Sequence, residues 1–533
     1  MRLRLKILAS LKAAAVALAF VVSASDRVVF ASEQQAPQQP TPAPVQAEPK
    51  GPELPVTADE AVRMALENNL GVRAEKLGPQ IGTYGVAQAR AAYAPSLFST
   101  TTKRNSTTPP DILASGGLAS TSTSDRLTTN FGVQQSVAWG GGRYSLALDA
   151  SRFSTNTISS FNPQLGSNLF ASYTQPLLRG FKIDGLRQQV LQSVKAEEIA
   201  DVRLREELVS TERRVRDQYY QLVGAVGQLD VARQSLELAN ESLRQNRRRV
   251  EVGVMASIDI IEAEAEVARV QENVLFAEAN IRTLEDQLRV LVLNPSQPDF
   301  WTVRLVPTEK PMLTATPVDV DEGIRAALQN RTDLIQARKQ LESTDIDINF
   351  TQNSKLPALD VVANYNTVGL AGTAIEYGEG FPPTEIGRTQ RSFGNALRDV
   401  FGNDFKTWSV SLQLSYPLGT SPAEASLAAN RLQREQQLTS IREMEIGITA
   451  QIRDAARAVT NSLQRVEATR NATKFAQIRY DAEQKRITAG LSTTFQLLNA
   501  QQALTSARQQ ENRAIIDYNR ALVAFRSLQT SPR

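Results

Sequence analysis

The chain has 533 residues, 59 Lys and Arg against 56 Asp and Glu, and neither Cys nor His. The lack of both excludes disulfides, thiolate nucleophiles, imidazole bases and the usual zinc ligands, so any enzymatic chemistry would rest on carboxylates, Lys, Ser or Tyr. Aromatic residues make up only 6% while Ala, Gln, Arg and Glu fill long tracts, a balance that suits extended helices better than one large core.

The first segment, "MRLRLKILASLKAAAVALAFVVSASDRVVFASEQQ", places basic residues ahead of an apolar run from Ala13 to Ala24, with small-residue cleavage candidates after Ala24 and after Ala31. It reads as a secretory signal over residues 1–31, because the run is well short of the roughly 20 residues a spanning helix needs. Cleavage after Ala31 removes Arg2, Arg4, Lys6, Lys12 and Arg27 together with Asp26, leaving 54 basic residues against 55 acidic ones, a net −1 in place of +3. The basic balance therefore belongs to the export signal, and no nucleic-acid partner is expected. No other segment has the apolar length of a membrane helix, so an exported chain of this kind is soluble, lipidated or embedded by strands whose signal per segment is weak. Residues 32–56, including "APQQPTPAPVQAEPKGPELP", read as a Pro-rich disordered linker, with structure expected to begin at Thr57.

From Thr57 the chain repeats once. "TADEAVRMALENN" at 57 is echoed by "DVDEGIRAALQNR" at 319, each opening on a capping box, Thr57 with Glu60 and Asp319 with Glu322. The first repeat is placed at 57–294, the second at 319–528, with an inter-repeat belt at 295–318 and a tail at 529–533. Each opens with a helix of about 35 residues that ends near a proline, Pro95 or Pro357. Strand regions follow, at 95–177 and 357–417. In "TWSVSLQLSYPL" Trp408, Val410, Leu412, Leu414 and Tyr416 fall on one face and Thr407, Ser409, Ser411, Gln413 and Ser415 on the other; "NFGVQQSVAW" and "RYSLALD" alternate likewise. A soluble sandwich would also alternate, but segments of about ten residues with an apolar face and a Ser/Thr/Gln face, in an exported chain, point to lipid on one side and water on the other.

Pro176 and Pro417 lead out of the strands into the longest helical tracts, from about Asp184 to Glu251 and from about Pro422 to Thr488, the second with Leu438, Ile441, Ile448, Ile452, Ala455, Val459, Leu463 and Val466 at heptad spacing. Helices of roughly 65 residues reach near 100 Å. Third helices follow, about Ser257 to Leu293 and about Thr493 to Leu528. Two helices of about 35 residues laid end to end match one of about 65 to 70, so each repeat is expected to form an antiparallel two-ply column. "RYDAEQKRITAGLSTTFQLLNAQQAL" and "VEVGVMASIDIIEAEAEV" then become hairpin tips: Gly490 and Gly253 supply the left-handed residue, and Thr493 with Gln496, and Ser257, start the next helix. A tip that merely connects accounts for the glycines and caps, but not for the apolar Val252, Val254 and Leu491 beside them.

In this order and spacing, from about residue 57 to 528, the chain resembles the TolC family of outer-membrane efflux ducts. The resemblance implies an α+β membrane protein of two tandem structural repeats: a long antiparallel coiled-coil α-barrel crossing the periplasm, continuous with a transmembrane β-barrel shared by a homotrimer in the outer membrane. Four strands cannot close a barrel alone, and three copies of four would give twelve. The first strand region is longer than the second, however, and carries an extra "AWGGGRYS" hairpin around 130–153 that either adds two strands per copy or decorates the barrel. By the same resemblance the tips Val252, Gly253 and Val254, and Ala489, Gly490 and Leu491, meet a periplasmic adaptor (membrane fusion protein) working with an inner-membrane pump.

Candidate gate positions follow the tips: Asp259 and Glu262 in the first repeat, the neutral Gln496 and Asn499 in the second, and Arg486, placed to pair with either acid. The neutral pair departs from the family's acidic rings, and Asp259 and Glu262 are equally readable as a solvated first helical turn. Nothing in the sequence has the spacing of a nucleotide, nucleophile or metal motif, so no catalytic residue, metal or cofactor is expected and conduction is passive. The competing readings are a periplasmic coiled-coil scaffold or adaptor without a pore, which leaves the alternating segments unexplained, and a carboxylate-dependent hydrolase, for which nothing assembles. Cargo, whether drug, metal or protein, is open.

Overall fold

The computed structural model describes residues 51–529 apart from 110–120, 255, 310, 312–314, 316, 381–382 and 420. The signal segment 1–31, most of the Pro-rich stretch and the tail after 529 lie outside the described residues.

Order begins earlier than Thr57. Residues Glu53–Val56 form a strand (β1), a correction to the linker reading. Its parallel partner lies some 250 residues on, which no local pattern announces. The opening helix of the first repeat is in three pieces, Ala58–Asn68 (α1), Leu70–Glu75 (α2) and Leu77–Ala91 (α3). Thr57 and Glu60 complete the capping box that starts it. At Asn69 the backbone is extended, and the Asn69 side chain accepts from the amides of Gly71 and Val72 to restart the helix.

Four strands follow, Ser96–Thr108 (β2), Ser122–Ser136 (β3), Arg143–Thr155 (β4) and Phe161–Pro176 (β5), so β3 stops short of Val137 and Trp139, which belong to the turn. The chain then makes a 67-residue helix, Gly185–Glu251 (α4), capped by Asp184, and returns through Ile258–Val292 (α5). Asn68 and Asn69 donate to the carbonyls of Val292 and Leu291, so the opening helix meets the end of α5 and satisfies two of its free carbonyls. The end-to-end arrangement alongside one long helix is thereby realised.

Strand Arg304–Pro307 (β6) pairs in parallel with β1. Around that pair Val56, Leu305, Phe300 and Val303 pack with Val292, Leu293 and Tyr219 of α4 in one buried cluster. The Tyr219 hydroxyl donates to the Val56 carbonyl at 3.1 Å and accepts from the Glu309 amide at 3.2 Å, joining three separate segments. Replacing Tyr219 by Phe is expected to cost about 1 kcal/mol in thermal unfolding, since the Glu309 amide loses its acceptor while the Val56 carbonyl keeps the Thr308 amide at 3.2 Å.

The second repeat follows the same plan. Its opening helix, Val320–Asn330 (α6) and Thr332–Ser354 (α7), breaks at the extended Arg331. Asp319 accepts from two amides, but the return bond from Glu322 expected of a capping box is not formed. Strands Ala358–Tyr377 (β7) and Glu385–Arg391 (β8), a short helix Phe393–Gly402 (α8) and strand Lys406–Ser415 (β9) lead to a second 67-residue helix, Pro422–Thr488 (α9), and to Thr494–Ser527 (α10). The predicted heptad residues Ile441, Ile448, Ile452, Val459 and Val466 are buried against Tyr518, Leu522 and Phe525 of α10.

Between the columns, Lys195 on α4 bonds Glu342 of α7 at 2.8 Å, and Lys339 of α7 bonds Glu198 of α4 at 2.8 Å. The Lys339 hydrogen bond holds the Glu198 carboxyl below its ordinary value, and the Lys195 bond does the same for Glu342. A carboxyl whose folded pKa is depressed contributes stability above its unfolded value and loses it as pH falls through the folded one. Acidification below about pH 4.5 is therefore expected to loosen α7 from α4, by no more than about 1 kcal/mol per exposed pair. The check is thermal unfolding across that range, where the double variant Glu198→Gln, Glu342→Gln should lose this part of the pH dependence and keep that of other lowered carboxyls such as Glu60.

All the long strands join one antiparallel sheet in the order β2-β3-β4-β5-β7, with β9 on the lower part of β7 and β8 on its upper part. β8 and β9 thus share one strand position, interrupted by α8. That helix, unanticipated from the sequence, lies over small residues of β7: Thr367 donates to the Val400 carbonyl at 3.3 Å, and a Cβ at Gly369 would collide with the Ala396 backbone.

Candidate functional site

Among the described residues, exposed apolar side chains gather on the sheet and at the hairpin tips at the other end of the columns, as well as along the helices at positions such as Tyr84, Phe276 and Ile446.

In the sheet, register settles which side chains share a face. Trp408, Val410, Leu412 and Leu414 of β9 stand opposite Tyr365, Ala363, Val361 and Leu359 of β7. Tyr365 and Ala363 stand opposite Ala171 and Tyr173 of β5, which stand opposite Leu146 and Tyr144 of β4. The row continues through Val133 and Phe131 of β3 to Leu97 of β2. Several of these are widely exposed, Leu412 at 65% and Trp408 at 71%. The opposite face carries Ser409, Ser411, Asn364, Asn366, Ser172, Asn168, Ser145, Asp149, Asn130 and Thr128, at the intervening register positions. An apolar band from Leu97 to Leu412 thus crosses one face of the sheet and mainly Ser, Thr, Asn and Asp occupy the other, with Ser99, Thr101 and Lys103 of β2 sharing the apolar face and Phe98 and Phe170 the polar one. No helix among the described residues is long and apolar enough to cross a membrane.

At the tips, Gly253 and Gly490 have φ of 76° and 75°, the left-handed conformation expected of them. Their amides close the helix ends, the Gly253 N–H donating to the Val250 carbonyl and the Gly490 N–H to the Ile487 carbonyl. Among the described residues, nothing beyond the chain neighbours lies within 4 Å of a Cβ built at either glycine. Val252 and Val254 are each 72% exposed and Leu491 is 79% exposed, so both tips offer apolar side chains around an open glycine. Thr493 caps α10 through the Gln496 amide at 3.4 Å, but the Gln496 side chain is taken by the Ser492 hydroxyl instead of completing the box. Ser257 makes no side-chain cap for α5, a correction to the sequence expectation: it already has helical backbone angles, which turn its hydroxyl away from the first free amides.

Of the gate positions, Glu262, Gln496 and Asn499 are exposed and Asp259 is half-buried. Arg486 pairs with Glu483, one turn back on its own helix, at 3.7 Å. It does not pair with Asp259 or Glu262, as had been expected, because i,i+3 neighbours on one helix are closer than acids on the other tip. Glu483 also accepts from Ser492, tying the tip loop to α9.

The seam between the two columns, where α4 runs beside α10, was not singled out in the sequence. Ser235 and Thr505 hydrogen-bond across it at 2.9 Å. From there toward the tips it carries Ala239, Ser242 and Asn246 on α4 and Gln501 and Thr494 on α10, all buried. Neither side-chain polar atom of Gln501 has a hydrogen-bond partner, nor do the Ser242 hydroxyl and the Asn246 amide nitrogen. Small and polar residues at heptad spacing were the available signal, but a search for apolar seams passes over them. The seam inside the second column, lined by Ile448, Ile452 and Val459, is apolar by contrast.

A family model described as outer membrane efflux protein matches residues 136–292 and 323–529, one segment in each repeat. The chain belongs to the outer membrane efflux protein family. As an efflux-family protein it is at home in the outer membrane, and its family is one of channels rather than of enzymes. It is 23% identical over 300 residues to outer membrane protein TolC of Escherichia coli, covering 56% of this chain and 57% of that protein. It is 21% identical over 306 residues to outer membrane protein TolC of Vibrio cholerae, covering 55% and 63%. The match thus spans less than two thirds of either curated relative. The fold of this efflux-family chain is similar to that of CusC, with a TM-score of 0.64, 13% identity and coverage of 94% of this chain and 100% of that one. It is also similar to the CmeC outer membrane channel of Campylobacter jejuni, with a TM-score of 0.60, 13% identity and coverage of 95% and 94%.

Proposed function

We propose that this protein is the outer-membrane channel of a tripartite efflux or type I secretion system, conducting substrate passively from an inner-membrane pump and a periplasmic adaptor to the exterior. The observation that carries the reading is the sheet, apolar on one face and polar on the other, joined directly to helical columns of about 100 Å. A sheet of this kind with two unpaired edges is unstable in lipid by itself, so copies of the chain close it into a shared barrel, three in the homotrimer that the family resemblance implies. The helices beneath form the periplasmic tunnel.

The tips at Val252, Gly253 and Val254 and at Ala489, Gly490 and Leu491 are the adaptor-docking surface in this reading. Asp259, Glu262, Gln496, Asn499 and Arg486 surround the entrance. The scaffold alternative provides for the columns and leaves the apolar sheet face without an occupant. The experiment is reconstitution of the full-length protein in planar bilayers. Discrete conductance steps are expected, and a protein recovered from the periplasm that gives none would support the scaffold.

The seam between α4 and α10 is where this tunnel would widen, because toward the tips its buried Gln501, Ser242 and Asn246 have polar atoms without partners, beside the apolar contact of Leu238 with the cluster of Leu497 and Leu504. Gln501→Leu exchanges an unpartnered buried amide for an apolar group of similar size, and is expected to stabilise the seam by about 1–3 kcal/mol. The readout is a lower open probability in the same bilayers with single-channel conductance unchanged.

A further inference from the structure

The first repeat carries two long strands that have no counterpart in the second, β3 and β4, and they are spliced into the middle of the sheet. β3 pairs with β2 from Ser96↔Gln134 to Thr108↔Ser122 and with β4 from Ser124↔Thr155 to Ser136↔Arg143, and β4 pairs onward with β5 from Arg143↔Thr174 to Phe153↔Gln164. None of these three ladders has a register shift. The apolar band of the wall continues through them in step: Phe131, Val133, Leu146 and Leu148 lie on the face of Trp408 and Leu412, and Asn130 and Ser145 on the face of Ser411, while Thr129 and Arg152 interrupt the apolar row further along each strand. A hairpin that only decorates a barrel has no reason to keep its apolar row in step with that of the wall, whereas a one-residue slip inside the wall would turn every side chain to the wrong side.

Strand direction decides how such a sheet can close. β2 leads away from α3 and β9 leads back into α9, so the two edge strands of one copy run in opposite directions. The β9 edge of one copy therefore meets the β2 edge of the next as an antiparallel pair, and a ring of copies closes without any parallel contact. Adding a whole hairpin preserves that parity; adding a single strand would have destroyed it.

We propose, resting on the reading above that three copies share one barrel, that the outer-membrane wall contains eighteen strands and that β3 and β4 are an insert that widens it. For strands about 4.8 Å apart and tilted about 40°, a ring of eighteen measures about 36 Å between backbones, against about 24 Å for twelve. Barrels of that strand number enclose an aqueous channel, and the polar face of the insert, with Asn130, Thr128, Ser145 and Asp149, lines it with groups that water can solvate.

The chain contains no Cys, so single cysteines report without background. Phe131→Cys, Leu146→Cys, Asn130→Cys and Ser145→Cys, with Leu412→Cys and Ser411→Cys as controls on β9, are labelled in intact outer membranes with a membrane-impermeant maleimide. Loss of labelling at 131, 146 and 412, with labelling kept at 130, 145 and 411, is the expected result. Full labelling at 131 and 146 while 412 stays protected removes the insert from the wall and overturns the proposal, leaving the channel reading intact. Labelling at 412 as well overturns the channel reading on which the proposal rests. A cryo-electron microscopy map of the same protein in lipid nanodiscs then counts the strands: eighteen supports the wider wall, and twelve overturns it.

Discussion

Replacing Gly490 by Asn, together with Gly253 by Asn, is expected to abolish efflux while leaving the channel folded and in the outer membrane. Both positions need a left-handed backbone, with φ of 75° and 76°. Asn is the side-chain-bearing residue that adopts it most readily, whereas a β-branched residue would cost about 1–2 kcal/mol in strain. The added side chain enters open space, since among the described residues no atom beyond the chain neighbours lies within 4 Å of a Cβ at either glycine. Thermal stability should therefore barely change. A partner backbone seated against the glycine would be pushed away by the new side chain, so the loss appears in co-purification with the adaptor and in substrate retained by cells. Unimpaired efflux by the double variant would mean that no partner approaches the tips at these residues.

The second large effect concerns the sheet. Leu412→Arg puts a guanidinium on the apolar face, where a charge in lipid costs up to about 2–4 kcal/mol depending on depth, in every copy of the assembly. Ser411→Arg, one residue away and on the polar face, has water to meet it. Membrane fractionation should find Leu412→Arg depleted from the outer membrane and Ser411→Arg present at the level of the parent protein. Equal recovery of the two would show that this sheet does not stand with one face in lipid.

The parts of this structure that were legible in the sequence are those set by short-period patterns. The heptads from Ile441 to Val466 located α9, and the left-handed glycines with their following helix starts located both tips, because a helix end must be satisfied locally. Alternation located β9 and much of β3 and β4, since a sheet with two different solvents on its faces leaves no other pattern.

What escaped depends on distant partners. Glu53–Val56 looks like linker until Arg304–Pro307 is beside it. The breaks at Asn69 and Arg331 interrupt sequences that are otherwise helical; at Asn69 the break falls where the end of α5 arrives to be capped. Helix α8 covers Gly369 and Thr367, small residues whose purpose appears only once something lies over them. Arg486, placed by the sequence where it could pair with Asp259 or Glu262, pairs within the chain with Glu483, one turn back on its own helix.

The account depends on the two free edges, β2 and β9, being closed by other copies of the chain. Native mass spectrometry of full-length protein extracted from the outer membrane in mild detergent measures this directly. A particle of three chains is the result the account predicts, and a stable single chain would contradict it.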